Sequence, residues 1–374
     1  MIYLDHNAST PVDPEVADYM HSLLKTDFGN PSSSHGAGLR ARKSIDAART
    51  QVADLIGASP DEIIFTSGGT ESNNLAIIGS VRQRKKGHIV TSVIEHPSVM
   101  NPCAHLEDIG FDCTYVGVDN QGRVDPERIR KALRKDTLLI SIMQANNETG
   151  VIQPIEEIGA LACEKGILFH TDAAQTIGKI AVNAVQLRVD MLTIVSHKFC
   201  GPKGIGALYV KRGIELSPIL FGAGHERGLR PGTENVPGIG GLGKACEIAG
   251  LHVQERSHLK RVTDLLYNDL KTNLPALRLN GHETERLPNT LNVCIPGIDA
   301  LSLLEIIKDR VAVSAGSACH AGQKKPSSVL TAMGLSDADA MSSIRLSAGR
   351  NTGEDEIRKA AGIIAAAVRD LIKS

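Results

Sequence analysis

The chain has 374 residues, 42% of them hydrophobic and 22% charged, which is apolar material for about two domains and excludes intrinsic disorder. Forty-one Lys plus Arg stand against 42 Asp plus Glu, a formal net charge of −1, so bulk electrostatics give no case for nucleic acid or an acidic membrane as partner. No run of about 18 apolar residues occurs and the opening MIYLDHNASTP lacks a leader pattern, so the expectation is a soluble, cytoplasmic protein.

In chain order, short apolar runs rich in β-branched residues predict strands over residues 62–66, 88–92, 137–143, 167–171 and 191–195. Helical patterns fall between them, over 70–82, 126–134 and 155–165. This alternation predicts an α/β architecture with a mostly parallel sheet covered on both faces. From about residue 250 the pattern changes to a polar helical stretch (254–274), shorter strands at 289–295, 311–314 and 343–347, and an amphipathic helix over 354–372. The expected division is a large domain over 15–250 and a smaller α+β domain made of 1–14 and 251–374.

Seven cysteines, an odd number scattered without any C-x-x-C pair, argue against a disulfide framework and against a clustered zinc site, and no metal is expected. Cys103, Cys113, Cys163, Cys246 and Cys294 have apolar neighbours and are expected in the core. Cys200 and Cys319 keep different company, in HKFCGPKG and GSACHAG.

The oddest polar clusters follow predicted strands, where open α/β sheets bind ligands. Ser67-Gly68-Gly69-Thr70 lies between a strand and a helix, a turn suited to an anion, although a capped turn has the same pattern. Asp172 and Gln175 in HTDAAQT, Ser196, His197 and Lys198 in TIVSHKFCGPKG, Asn146 and Asn147 in ANNETG, and His96 in IEHPSV fall at other strand ends. Each alone reads as a cap, a turn or a surface charge. Together, a lysine beside a phosphate-type turn, an aspartate for a pyridinium nitrogen and a histidine to lie on a ring form the set expected around pyridoxal phosphate.

Taken in order, YLDHNAST, GNPSSSH, FTSGGTESNNLA, EHPSV, NNETGV, HTDAAQT, SHKFCGPKGIGALYV, RPGTEN and GSACHAG resemble the group I cysteine desulfurases, pyridoxal-phosphate enzymes of the class V aminotransferase group, with selenocysteine lyases as close relatives. The resemblance runs from Tyr3 to Arg350. It implies the fold-type I architecture, with a seven-stranded sheet in the large domain. It implies that Lys198 carries the cofactor and moves the Cα proton, that Asp172 pairs with the pyridine nitrogen, that Gln175 contacts the ring hydroxyl and that His96 stacks on the ring. Thr70 and His197 match phosphate-binding positions, Gly69 and Ser196 are further cofactor-binding positions, and Asn147 matches a position touching both substrate and cofactor. Asn30 and Arg345 match substrate-binding positions, Arg345 as the carboxylate clamp. Thr233 matches a residue reaching the phosphate from a partner subunit, which implies a homodimer. Two departures stand out: Val195 replaces a serine found in many desulfurases, and His320 follows the cysteine, as in mammalian selenocysteine lyases. Pro97, beside His96, is as in many desulfurases.

The small, glycine-containing segment around Cys319, over 314–326, predicts a mobile surface loop, as a sulfur carrier requires. A free thiol with a pKa of about 8.5 is roughly a tenth ionised or less near neutrality, and His320, Lys324 and Lys325 would raise that fraction. The implied reaction turns L-cysteine into L-alanine and a persulfide on Cys319, for transfer to acceptor proteins such as those of iron–sulfur cluster assembly. Selenocysteine lyase activity, and a non-catalytic sulfur-transfer scaffold, are the alternatives.

Overall fold

The computed structural model describes residues 1–252, 256–315 and 325–373. The elements run β1 (Ile2–Tyr3), α1 (Pro14–Thr26), α2 (Gly36–Ile56), β2 (Ile63–Thr66), α3 (Gly69–Val81), β3 (His88–Ser92), α4 (Pro97–Asp108), β4 (Asp112–Val116), α5 (Pro126–Ala132), β5 (Thr137–Ser141), α6 (Ile155–Lys165), β6 (Leu168–Asp172), β7 (Met191–Val195) and β8 (Gly206–Val210). They continue with α7 (Val236–His252), α8 (Arg256–Asn273), β9 (Arg278–Asn280), β10 (Thr290–Cys294), α9 (Ala300–Ile307), β11 (Val311–Ala312), α10 (Ser328–Ala332), α11 (Asp337–Met341), β12 (Ser343–Ser347) and α12 (Glu354–Lys373). No described helix is long and apolar enough to cross a membrane.

Seven strands form one sheet in the order β2-β8-β7-β6-β5-β3-β4. β3 to β7 pair in parallel, whereas β8 is antiparallel to both β2 and β7. Helices cover both faces, which is why β2, β3, β7 and β8 are buried along their whole length rather than alternating. One face packs on α2, α6 and α7 through Ile45, Ile158 and Leu242; the other packs on α3 and α4 through Leu75 and Val99. A further core joins α8, α9 and α12 to β10 and β12 through Leu266, Leu303, Ile364 and Leu346, and Leu4 from the amino-terminal segment belongs to it. Val329, Leu330 and Met333 of the α10 region join the first core instead.

Several boundaries differ from the periodicity. The strand expected over 137–143 ends at Ser141. The helix expected over 126–134 stops at Ala132, because Leu133 takes up an extended backbone (φ −64°, ψ 139°). The strand expected over 311–314 shrinks to two residues, with Ser314 making an isolated bridge to Arg345. Cys163, expected inside, is exposed on α6; flanking apolar residues do not fix which face of a helix a side chain occupies.

The amino-terminal segment straps the two parts of the molecule together. β1 pairs in parallel with β11, and Asp5 bridges to Ser347. Thr10 N–H then donates to His197 O at 2.9 Å and Asp13 N–H to Cys200 O at 2.9 Å. The strap therefore passes directly over the turn that follows β7.

Candidate active site

The carboxyl end of β7 leads into a single helical turn, Ser196–Lys198, which aims Lys198 at the strap. Its Nζ donates to Asn7 O at 2.7 Å and to Ala8 O at 2.9 Å. Burial, with Arg345 adding to it, pushes the amine down to about 8, against the pull of Asp172 and Asp5. Lys198 is thereby held as an amine that is largely deprotonated in mildly alkaline solution.

β6 ends on Asp172, which is 7% exposed. Its carboxylate accepts from Ala174 N–H at 2.9 Å and from Asn73 Nδ2 at 2.7 Å. The same Asn73 nitrogen donates to Ser98 Oγ at 2.8 Å. Ser98 Oγ lies 2.8 Å from His96 Nδ1, and Ser98 N–H donates to that ring nitrogen at 3.1 Å. With both Ser98 donors addressing Nδ1, the neutral imidazole carries its proton on Nε2. Burial lowers the His96 pKa, Asp172 raises it and Lys198 lowers it, so all three groups feel one another. Asn73 links the aspartate to the histidine and was not singled out in the sequence; its position three residues after Thr70, on the inward face of α3, is the signal that would have found it.

In the turn before α3, Ser67 N–H donates to Glu71 Oε2 at 2.7 Å and Gly68 N–H to Thr66 Oγ1 at 3.4 Å, and the helix starts at Gly69. Gly68 has φ 150°, a conformation glycine reaches readily, and α3 begins without any side-chain cap. A Cβ on Gly69 would lie 2.6 Å from Val195 Cγ2, so Val195 packs against this turn where a serine would offer a hydroxyl. Thr70 is exposed at the helix start. Ser196 does not join them: its hydroxyl is buried beside Gly201, where an added Cβ would come within 2.1 Å, and it has no hydrogen-bond partner among the described residues. His197 is held down to about 4 by burial, Lys198 and Lys203, with Nδ1 3.2 Å from Ser9 Oγ.

Arg345, on β12, reaches the cleft from the other core. It donates from Nη2 to Asp5 Oδ1 at 2.7 Å and Ser314 Oγ at 3.0 Å, and from Nη1 to Asn147 O at 3.0 Å. Its Nε is buried and has no partner among the described residues, a donor left over for a ligand. Gln175 donates from Nε2 to Asn7 O at 3.0 Å and accepts from Lys179 at 2.7 Å on Oε1. Asn7 is thus a hub that sequence reasoning missed, because nothing local marks an asparagine whose partners lie more than 100 residues away. Asn30 is exposed, and its Oδ1 accepts from Ser32 N–H at 2.9 Å, serving its own turn. Thr233 is exposed before α7. Asn146 is structural: its Oδ1 accepts from Glu148 N–H at 2.9 Å and Thr149 N–H at 3.0 Å.

Cys319, His320 and Lys324 lie outside the described residues. The chain on either side of them is anchored beside the cleft: Ser314 bridges to Arg345, and Ser327 donates to buried Glu148 at 2.5 Å, next to Asn147.

An amine depressed by burial, a carboxylate that accepts from two N–H donors, an imidazole with a defined tautomer and an uncapped helix start fit a phosphorylated pyridine aldehyde. The comparisons agree. The Aminotransferase class-V family matches residues 2–359. The chain is 47% identical over 360 residues to a protein named cysteine desulfurase IscS from Dictyoglomus turgidum, covering 95% of this chain and 91% of that one. It is 48% identical over 359 residues to another of that name from Methanosarcina thermophila, covering 95% and 89%. Among solved structures it superposes on a NifS-like protein with TM-score 0.93 at 37% identity, covering 99% and 100% of the two chains. A structure described as SspA in complex with cysteine matches with TM-score 0.82 at 40% identity, covering 93% and 98%.

Proposed function

We propose, for a chain that belongs to the class V aminotransferase family and is a pyridoxal-phosphate-dependent cysteine desulfurase, that Lys198 and Cys319 divide the chemistry between an amine and a thiol. Lys198 would hold the cofactor aldehyde, Asp172 its pyridine nitrogen, Gln175 its ring hydroxyl and His96 its ring face, with Gly69, Thr70 and His197 around the phosphate. When bound, pyridoxal 5'-phosphate supplies an electron sink for the pair released as the Cα–H bond of L-cysteine breaks.

Arg345 orients the substrate carboxylate, using the Nε donor that has no partner among the described residues. Lys198, deprotonated as its lowered pKa favours, accepts the Cα proton. The Cys319 thiolate attacks the substrate sulfur, so that an S–S bond forms as the Cβ–S bond breaks with its electron pair left on carbon. Protonation of that carbon, and return of the proton held by Lys198 to Cα, give L-alanine, and Cys319 is left as a persulfide for an acceptor protein. Asn147 and Asn30 complete the substrate contacts. Thr233, exposed before α7, reaches the phosphate of a second copy, so the active form is a homodimer. The domain division is 15–250 against 1–14 with 251–374, with the strap as the crossing segment.

The observation that carries the thiol's role is the anchoring of Ser314 at Arg345 and of Ser327 at Glu148. Cys319 is five residues from the first anchor, within about 18 Å of extended chain, and so within reach of the cleft. Cys319→Ala is expected to abolish sulfide release from L-cysteine while leaving the visible colour of the bound cofactor intact; full desulfurase activity in that variant overturns the carrier role.

A further inference from the structure

Lys179 is a buried lysine without an anionic partner. Its Nζ donates to Gln175 Oε1 at 2.7 Å and to Asn7 Oδ1 at 2.9 Å, and among the described residues no carboxylate lies within ion-pair distance of it. The charged and titratable groups that face it are Lys198, Arg345, Cys200 and His6. Burial and the two cations hold its amine well below the usual lysine range. A neutral amine has two protons, and here each has an acceptor. A methionine would fill the same space without burying a polar group, so the amine must do something that packing does not.

Both acceptors belong to the apparatus around Lys198. The Asn7 carbonyl receives Lys198 Nζ at 2.7 Å and Gln175 Nε2 at 3.0 Å. A glutamine amide can turn over and exchange its oxygen for its nitrogen; a donor fixed on Oε1 removes that freedom. We propose that Lys179 is a positioning residue acting through Gln175 and Asn7: it commits the Gln175 NH2 to the side of Lys198 and the cofactor ring, and it steadies the carbonyl on which Lys198 docks. This rests on the reading of Gln175 as the contact to the cofactor's ring hydroxyl.

The test is a pH titration of the visible absorbance of the holoenzyme, in the wild type, Lys179→Met, Gln175→Ala and the double variant. Loss of an N–H directed at the ring oxygen is expected to raise the midpoint by about one pH unit in K179M. Q175A should do the same, and the double variant should shift no further than Q175A alone, because the lysine acts through the amide. A K179M midpoint that superposes on the wild type, or shifts that add in full in the double variant, overturns the proposal. Lys179→Gln retains an N–H to donate and is expected to keep the wild-type midpoint; a full-unit shift in K179Q overturns the proposal even if K179M cannot be purified. A wild-type protein that gains no visible band with pyridoxal phosphate would instead sink the cofactor assignment, leaving the separate failure of Lys179 recognisable.

Discussion

Arg345 Nη2 and Asp5 Oδ1 are 2.7 Å apart, joined across 340 residues of sequence. The side chain that the family resemblance assigns to the substrate carboxylate thus already has a carboxylate beside it, supplied by the strap. Arg345 is 6% exposed, and a guanidinium this deep needs a counter-charge while the cleft is empty of substrate. Asp5 both stabilises the arginine and holds it in place, and Nε remains for the ligand.

Two variants separate those roles. Arg345→Ala is expected to raise KM for L-cysteine by roughly 10- to 100-fold, the loss of a charge-assisted contact. Asp5→Asn should lower the melting temperature by about 3 °C or more without raising KM, because the clamp stays and loses only its internal competitor. Steady-state kinetics and a thermal melt check both; a D5N variant with the KM of R345A would make Asp5 part of the clamp.

Lys198 has its amine pushed down to about 8 by burial and by Arg345. Only the neutral amine attacks an aldehyde, so the rate at which apoprotein takes up pyridoxal phosphate should climb with pH and level off above about 8. Stopped-flow absorbance across pH 6 to 10 measures this. In R345A the midpoint should move upward, since one of the two depressing influences is gone. A midpoint near the ordinary lysine value in the wild type would contradict the buried environment.

Val195 packs against the Gly69 turn, 2.6 Å from where a Cβ would sit. Val195→Ser places a hydroxyl where the phosphate is assigned and should slow loss of cofactor on dialysis by about fivefold, the worth of one ordinary hydrogen bond. Cofactor retained over time, followed by absorbance, gives the answer; faster loss in V195S would mean that the methyl packing matters more than the missing donor.

Glu95 is buried, and burial raises its carboxyl to about 8, with Asp172 adding to the shift and hydrogen bonds from Ser92 and Met143 opposing it. Between the ordinary carboxylate range and about pH 8, the folded chain binds a proton that the unfolded chain has released. Stability from this group therefore declines as pH rises through that window. Glu95→Gln keeps an acceptor for Ser92 and Met143 and cannot ionise, so its melting temperature relative to wild type should be higher at pH 8.5 than at pH 5. An equal difference at both values would show that Glu95 ionises freely.

The residues to which the chemistry is assigned stand out along the chain because they sit at strand ends in short ordered motifs: Lys198 after β7, Asp172 at the end of β6, His96 as the cap of α4 and the glycine turn before α3. Hydrophobic runs announced the central parallel strands for the same local reason. β8 was harder to find, since GALYV is equally a buried parallel strand by pattern, and only pairing sets its reversed direction. Ser196 shows the limit of position by position transfer: alternate residues leaving β7 point opposite ways, so Val195 faces the turn and Ser196 faces Gly201. Asn7, Asp5 and Lys179 carry no local mark of their roles, and Asn73 carries only its spacing from Thr70. Their roles arise from hydrogen bonds to residues 25 to 340 positions away, save for the pairing of Lys179 with Gln175. Composition, periodicity and motif order determined the class of fold and marked the candidate reacting groups, which depend on neighbours in sequence. Tertiary structure alone decided which polar groups meet in the cleft, because burial and charge are set by what the fold brings together.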